Sequence, residues 1–93
     1  MKKILILSSF ERSIKKLTPG EKNQLSKSLE LFNSFLVSGE AAYGFRFKKI
    51  DHDKYEFRVD LRLRVIVKVD GNNYYLVLAG SHDEVKRYLR NFR

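Results

Sequence analysis

Apolar and charged residues alternate without interruption over residues 55–65, which read YEFRVDLRLRV. A period of two is typical of a β-strand with one buried and one exposed face. The apolar positions keep odd numbers from Tyr55 to Val69, which is too long for an ordinary single strand. We therefore predict a hairpin. Because paired residues share a face, its loop must contain an odd number of residues.

The loop of this hairpin is predicted to be centred on Leu61. That position places Val59 opposite Leu63 and Arg58 directly opposite Arg64. Two arginines would therefore lie side by side on the charged face of the sheet.

The preceding segment, FRFKKI at residues 45–50, also alternates and is predicted to be a strand. A turn at residues 51–53 pairs it with the strand that follows. Lys48 then lies opposite Glu56, and Arg46 lies opposite Arg58. This adds two more basic side chains and one carboxylate to the charged face.

The segment DGNN predicts a further hairpin centred on residues 71–72, which places Arg64 opposite Ala79. Like charges that face each other destabilise a sheet. A row of arginines across adjacent strands therefore indicates an anionic ligand, and the planar guanidinium is well suited to phosphate. The alternative is a solvated sheet face whose long side chains extend into water.

Apolar residues spaced three or four positions apart predict three helices. The first two, within residues 8–17 and 18–39, are joined almost directly and form a helical hairpin. Each helix has a candidate capping box at its start: Ser8 with Glu11, Thr18 with Glu21, and Ser81 with Glu84. In the second helix, Pro19 takes the first helical position. The last helix carries an apolar stripe of Val85, Tyr88, Leu89 and Phe92.

The predicted fold class is α+β, with a single small domain over residues 1–93. An antiparallel β-sheet packs against the N-terminal helical hairpin, in the order β-α-α-β-β-β-α with the helices on one face. Residues 2–7 are a short buried strand, and the apolar segment 74–79 is a strand covered on both faces. A loop is expected over residues 38–44.

The composition indicates a globular protein with an anionic partner. Hydrophobic residues make up 43% of the chain, which argues against disorder. The 19 Lys and Arg residues outnumber the 11 Asp and Glu residues, giving a formal charge of +8. Nucleic acid, an acidic protein and an anionic membrane surface are the usual partners of such domains. The alternative is a charge that only maintains solubility.

Two absences exclude function classes. With no cysteine, the chain has no thiol nucleophile and no cysteine-ligated zinc site. It also has no apolar run of the roughly 18 residues that cross a bilayer. The apolar run from Ile4 to Leu7 is shorter than the roughly 7–15 residues of a signal-peptide core. We therefore expect a first strand there and a cytoplasmic protein.

His82 follows the last apolar strand, at the first turn of the last helix. The positive end of the helix dipole favours a neutral imidazole there, which can act as a base. The N–H groups of the same turn can hold a phosphate. A histidine at a helix start is also common as a plain surface residue, and both interpretations stay open. His52, in a tight turn between two aspartates, is expected to be exposed.

These features together resemble the RelE/ParE superfamily of bacterial and archaeal type II toxins. The resemblance covers nearly the whole chain: the order of elements and the segments YEFRV…LRVIVKVDG and YYLVLAGSHDEVKRYLR. Arg58 and Arg64 fall on the two strand arginines of the family pattern, and His82 falls on its terminal histidine.

The resemblance implies a toxin that cleaves mRNA, commonly on the ribosome, without a metal or other cofactor, and is neutralised by a cognate antitoxin protein. The 2′-hydroxyl of a ribose would attack the adjacent phosphate. Arg58 and Arg64 would stabilise transition-state charge, His82 would act as general acid or base, and Glu56 would be a complementary base or a tether for Lys48 or Arg58. The residues expected to bind RNA are Arg46, Lys48, Lys49, Arg62, Arg87 and Tyr88. For Tyr88, a place in the core is the stronger expectation.

The sequence also departs from the family pattern. Asp83 and Glu84 directly follow His82, where many nucleases of the family carry a basic residue, and their charge repels RNA. Two alternatives therefore stay open. One is a toxin of the same fold that binds DNA gyrase and cleaves nothing. The other is a catalytically inactive, basic nucleic-acid-binding module.

Overall fold

The computed structural model describes residues 1–40 and 45–91. Within them the chain forms three helices and five strands. In chain order these are β1 (Lys3–Ile6), α1 (Ser8–Ile14), α2 (Pro19–Ser38), β2 (Phe47–Asp51), β3 (Lys54–Arg58), β4 (Arg64–Asp70), β5 (Asn73–Gly80) and α3 (His82–Asn91). Most of the predicted loop at 38–44 and the stripe residue Phe92 lie outside the described residues.

The strands form one sheet in the order β1-β5-β4-β3-β2. The predicted α+β class, with a sheet against an N-terminal helical hairpin, is confirmed. Two details differ from the prediction. Four strands lie between α2 and α3, one more than the predicted order counts. The sheet is also mixed, because β1 pairs with β5 in parallel while the other pairs are antiparallel.

One face of the sheet packs on the helical hairpin. Phe32 of α2 is fully buried at the centre of this core, and its ring stacks on that of Phe57 with centroids 5.0 Å apart. Val65 and Val67 of β4 point to the same side. This aromatic and β-branched packing holds β3 and β4 rigidly under the hairpin.

The other face of the sheet is partly covered by α3. Ile66 and Val77 cluster with Val85 of that helix. Successive strand residues point to opposite faces, and both Val65 and Ile66 are fully buried. The prediction that all helices lie on one face is therefore wrong. Helix α3 covers only part of its face, and the charged residues of the same face lie beside it.

Two of the three predicted capping boxes are present. The hydroxyl of Thr18 accepts from the backbone N–H of Glu21, whose carboxylate accepts from the N–H of Thr18. Ser81 and Glu84 make the same reciprocal pair before α3. These bonds satisfy backbone donors that a helix start leaves without partners.

The third predicted box, between Ser8 and Glu11, is wrong. Helix α1 already begins at Ser8, and its N-cap is Leu7, which offers no side-chain cap. Ser9 instead donates from its hydroxyl to the carbonyl of Val77 at 2.6 Å. A hydrogen bond to the sheet thus anchors this helix start.

Candidate functional site

The hairpin of β3 and β4 forms in the predicted register, with Arg58 opposite Arg64. Its loop is stabilised by Asp60, whose carboxylate oxygen Oδ1 accepts from the backbone N–H groups of Arg62 and Leu63, each at 2.8 Å. An aspartate that caps a loop in this way holds the two strands at a fixed separation. The two facing arginines therefore stand on a rigid support.

Strand β2 extends the charged face to a third strand. Lys48 lies opposite Glu56, as predicted. Arg46 precedes β2, which begins at Phe47, so its predicted strand pairing with Arg58 is not formed in the described sheet. Arg46 and Arg58 nevertheless line the same pocket of about 420 Å³, together with Lys48 and Glu56. We refer to this as the arginine pocket.

The predicted pairing of Arg64 with Ala79 is wrong, and Arg64 lies opposite Gly80 instead. The register shifts at residues 66–67, where β5 contains one more residue than β4, as in a β-bulge. The bulge turns Ala79 to the helical-hairpin face and leaves a glycine beside Arg64. No side chain from β5 therefore stands directly across from this arginine.

Glu56 and Arg64 form the closest ion pair of the site. Nη1 of Arg64 donates to Oε2 of Glu56 at 2.9 Å, and their side chains are only 14% and 8% exposed. Nζ of Lys48 lies 4.0 Å from the same oxygen, and the Lys48 side chain is 64% exposed. Glu56 thus orients Arg64 from inside the sheet surface, while Lys48 stays open to solvent.

One buried N–H donor of Arg64 has no hydrogen-bond acceptor among the described residues. Among the described residues, its Nε is the buried side-chain polar atom that has no hydrogen-bond partner. A buried N–H without an acceptor costs free energy until a ligand oxygen or a water satisfies it. The guanidinium is therefore held on one side by Glu56, while its buried Nε–H has no acceptor among the described residues.

The other predicted site residues are dispersed around this pocket. His82 is exposed as the first residue of α3 and does not line the arginine pocket. Arg62 lines a separate pocket of about 250 Å³ at the end of the sheet, together with Lys16 and Glu84. Lys49 pairs with Tyr55, whose ring stacks on Phe47, so Lys49 lies on the face opposite Lys48.

Two predicted residues belong to α3. Arg87 is exposed. The pKa of Glu84 is lowered mainly because its carboxylate accepts a hydrogen bond from the backbone N–H of Ser81, and the positive charge of Arg87 lowers it further. Tyr88 is half-buried and packs against the cluster around Ile66. Its position agrees with the stronger expectation, a place in the core.

Sequence reasoning missed a second pocket on the same face. Ile50 and Asp51 of β2 face Lys86, Leu89 and Arg90 of α3 around a volume of about 260 Å³. Strand β2 and α3 are far apart in the chain, and none of these residues forms a motif. Only the docking of α3 on the sheet brings them together.

Residues 1–40 and 45–91 show neither a metal-ligand cluster nor a membrane-spanning helix. They contain no group of three or more His, Cys, Asp or Glu side chains placed to hold a metal ion. None of the helices in this part of the chain is long and apolar enough to cross a membrane.

Comparison with known proteins identifies the fold. No protein-family model matches the sequence, and no curated protein matches it either. Among solved structures, a chain of the RelB–RelE antitoxin–toxin complex from Methanococcus jannaschii is 16% identical with a TM-score of 0.68, over 90% of this chain and 96% of that one. A chain of the DinJ–YafQ complex from E. coli is 14% identical with a TM-score of 0.67, over 91% and 98%. A metal-bound toxin from Helicobacter pylori is 17% identical with a TM-score of 0.63, over 91% and 99%.

These structures share the fold along nearly their full lengths. The chain therefore has a RelE-like fold, and the predicted resemblance is confirmed at the level of architecture. Two of these three structures are complexes of an antitoxin with a toxin. At such low identity the likeness defines the fold, and the function must be argued from the site.

Proposed function

We propose that this chain is the toxin of a type II toxin–antitoxin pair and that it cleaves mRNA as a metal-independent endoribonuclease. It would act in the cytoplasm on ribosome-associated mRNA, inhibit translation and be neutralised by a cognate antitoxin. The observation that carries the proposal is the arginine pocket, in which basic residues from adjacent strands surround one buried carboxylate. The RelE-like fold of the toxins that resemble this chain supports it.

The proposed reaction uses only the RNA and protein side chains. The ribose 2′-oxygen forms a bond to the adjacent phosphorus as its proton passes to a base. The bond from phosphorus to the 5′-oxygen breaks, and an acid protonates that oxygen. The products are a 2′,3′-cyclic phosphate and a 5′-hydroxyl. The largest demand on the protein is to stabilise the negative charge of the pentacovalent transition state.

Arg58 and Arg64 are the residues proposed to meet that demand. They face each other across β3 and β4, and Nε of Arg64 has no partner in the described structure. Arg46 and Lys48 would bind the flanking RNA backbone. Phosphate oxygens accept well from guanidinium groups, and the low exposure of Arg64 strengthens such a bond.

Glu56 is better suited to positioning Arg64 than to acting as the base, because its Oε2 already accepts from that arginine at 2.9 Å. His82 remains the proposed general acid or base. It is exposed at the end of β5, beyond Gly80, which lies opposite Arg64. Arg62 and Arg87 would add backbone contacts at the edges of the surface, and Tyr88 would serve mainly as support from the core.

Induced expression tests the proposal. The native chain, Arg58→Ala, His82→Ala and Lys49→Ala are compared for growth, with mRNA 5′ ends mapped alongside. Lys49 lies on the face opposite the arginine pocket, so the proposal does not keep the RNA contact that the sequence predicted for it. Because Arg58 and Lys49 are both exposed and carry the same charge, Lys49→Ala is the matched control.

The native chain and Lys49→Ala should arrest growth and produce new RNA ends. Arg58→Ala and His82→Ala should do neither. Growth arrest without new RNA ends, accompanied by DNA damage signalling, would indicate a gyrase-binding toxin instead. Normal growth with the native chain would refute the toxin assignment.

A further inference from the structure

The pocket between β2 and α3 is lined by apolar, acidic and basic side chains. Its apolar lining comes from Ile50 and Leu89, an acceptor comes from the carboxylate of Asp51, and cations come from Lys86 and Arg90. A nucleotide carries matching groups: a flat apolar face, N–H donors on the base edge and an anionic phosphate. A volume of about 260 Å³ is small for a pocket that binds larger ligands, which measures roughly 300–1,000 Å³, so it suits a single base.

The charged groups that line this pocket form no ion pairs with one another among the described residues. Among the described residues, the ion pair recorded for Asp51 is with His52, 3.6 Å away, and neither Lys86 nor Arg90 takes part in an ion pair. The Asp51 side chain is 24% exposed, so it is accessible. An acceptor and two cations thus border one cavity without neutralising each other, which leaves them available to a ligand that carries both donors and negative charge.

The pocket follows the arginine pocket along β2. Lys48 lines the first pocket and Ile50 lines the second, and both point to the face that α3 covers in part. Two residues of a strand span about 7 Å. A single RNA strand held at the arginine pocket would therefore bring the next nucleotide to the entrance of the second.

We propose that this pocket is a base-binding subsite that selects bases with an exocyclic amino group over uracil. The proposal rests on the endoribonuclease function, because it assigns a neighbouring nucleotide of the same substrate. A carboxylate accepts from the amino group of cytosine, as it does from cytosine in DNA recognition. Uracil offers one N–H between two carbonyl oxygens, and the carboxylate of Asp51 repels both. Lys86 and Arg90 would bind the phosphate and contribute affinity without base preference.

Short all-deoxy oligonucleotides test the subsite separately from cleavage, because they lack the 2′-hydroxyl and cannot be cut. Labelled oligodeoxycytidine and oligodeoxyuridine tetramers are titrated with the full chain, and anisotropy is followed at several salt concentrations. The native chain should bind the cytidine tetramer about fivefold more tightly than the uridine tetramer. Asp51→Asn should abolish this preference, because an amide presents both a donor and an acceptor.

Matched controls remove the effect of net charge. Glu30→Gln makes the same charge change on the exposed surface of α2 and should keep the preference. Lys86→Ala and Arg90→Ala should weaken both tetramers equally. Each should reduce the salt slope by about 0.7, and by more than Lys27→Ala on α2 does. His52→Ala removes the neighbour of Asp51 and should leave the preference intact.

Several outcomes would overturn the subsite. One is a cytidine preference that survives in Asp51→Asn. Another is a cytidine preference that His52→Ala loses as fully as Asp51→Asn does. The third is a loss of affinity and salt slope in Lys86→Ala and Arg90→Ala no larger than in Lys27→Ala. Competition by an acidic peptide together with no base preference would show a charge-only surface for protein. Failure of the proposed function is distinguishable: RNA cleavage would be absent while the tetramer preference and its loss in Asp51→Asn remained.

Discussion

The buried pair of Glu56 and Arg64 predicts a large and specific loss of stability when the carboxylate is removed. In Glu56→Ala, Arg64 keeps its charge at 14% side-chain exposure but loses its ion-pair partner. Breaking a buried ion pair typically costs roughly 3–5 kcal/mol, and the residual exposure of Arg64 places the expected loss near 3 kcal/mol. In a domain of this size, that corresponds to a fall in Tm of about 12–24 °C.

Urea unfolding followed by circular dichroism measures the difference, with three comparison variants. Glu56→Gln keeps an acceptor for Nη1 of Arg64 and should lose only about 1 kcal/mol, the charge-assisted part of the hydrogen bond. Lys48→Ala should lose less than about 1 kcal/mol, because its ammonium is exposed and 4.0 Å from the carboxylate. The double variant Glu56→Ala/Arg64→Ala should be more stable than Glu56→Ala alone, because no uncompensated charge stays buried. A Glu56→Ala loss no larger than that of Lys48→Ala would refute this account of the site.

Two further predictions concern the helix starts. Thr18→Ala removes the side-chain half of the α2 capping box and should lower the free energy of unfolding by about 1 kcal/mol in urea titrations; an unchanged midpoint would contradict it. The pKa of Glu84 is held below its ordinary value of 4.5, mainly by the hydrogen bond from the Ser81 backbone N–H. Because this pKa is lowered in the folded state, the stabilisation is present above pH 4.5 and is lost as the pH falls through the folded-state pKa. Glu84→Gln should therefore be less stable than the native chain at pH 7, and the gap should narrow below pH 4.5 in unfolding titrations; a constant gap would contradict the assignment.

The sequence was most informative where alternation was strict. Odd parity from Tyr55 to Val69, with the loop centred on Leu61, predicted that Arg58 faces Arg64, and a register shifted by one residue would have buried charges. The same reasoning failed for Arg64 and Ala79. Strand β5 is apolar at nearly every position, so no alternation marks the bulge that shifts its register to Gly80.

The parts of the site that sequence could not predict depend on tertiary packing. The burial of Glu56 and its choice of Arg64 over Lys48 depend on how the side chains settle on the sheet surface. The pocket between β2 and α3 exists because α3 covers the face opposite the helical hairpin, and helical periodicity does not indicate which face a helix will cover.

The parallel pairing of β1 was likewise not predicted. Its four residues show no signal for strand direction, and the hydrogen bond from the N–H of Lys3 to the carbonyl of Asn72 is fixed only by the fold.

The most direct test of the central claim is the chemistry of the RNA ends that the purified chain produces in a cell-free translation reaction. Native protein and Lys49→Ala should generate new mRNA fragments with 5′-hydroxyl ends, and Arg58→Ala should generate none, because the attack of the 2′-hydroxyl requires charge stabilisation at the arginine pocket. Fragments with 5′-phosphate ends, or equal cleavage by Arg58→Ala and native protein, would contradict the proposed endoribonuclease and its site.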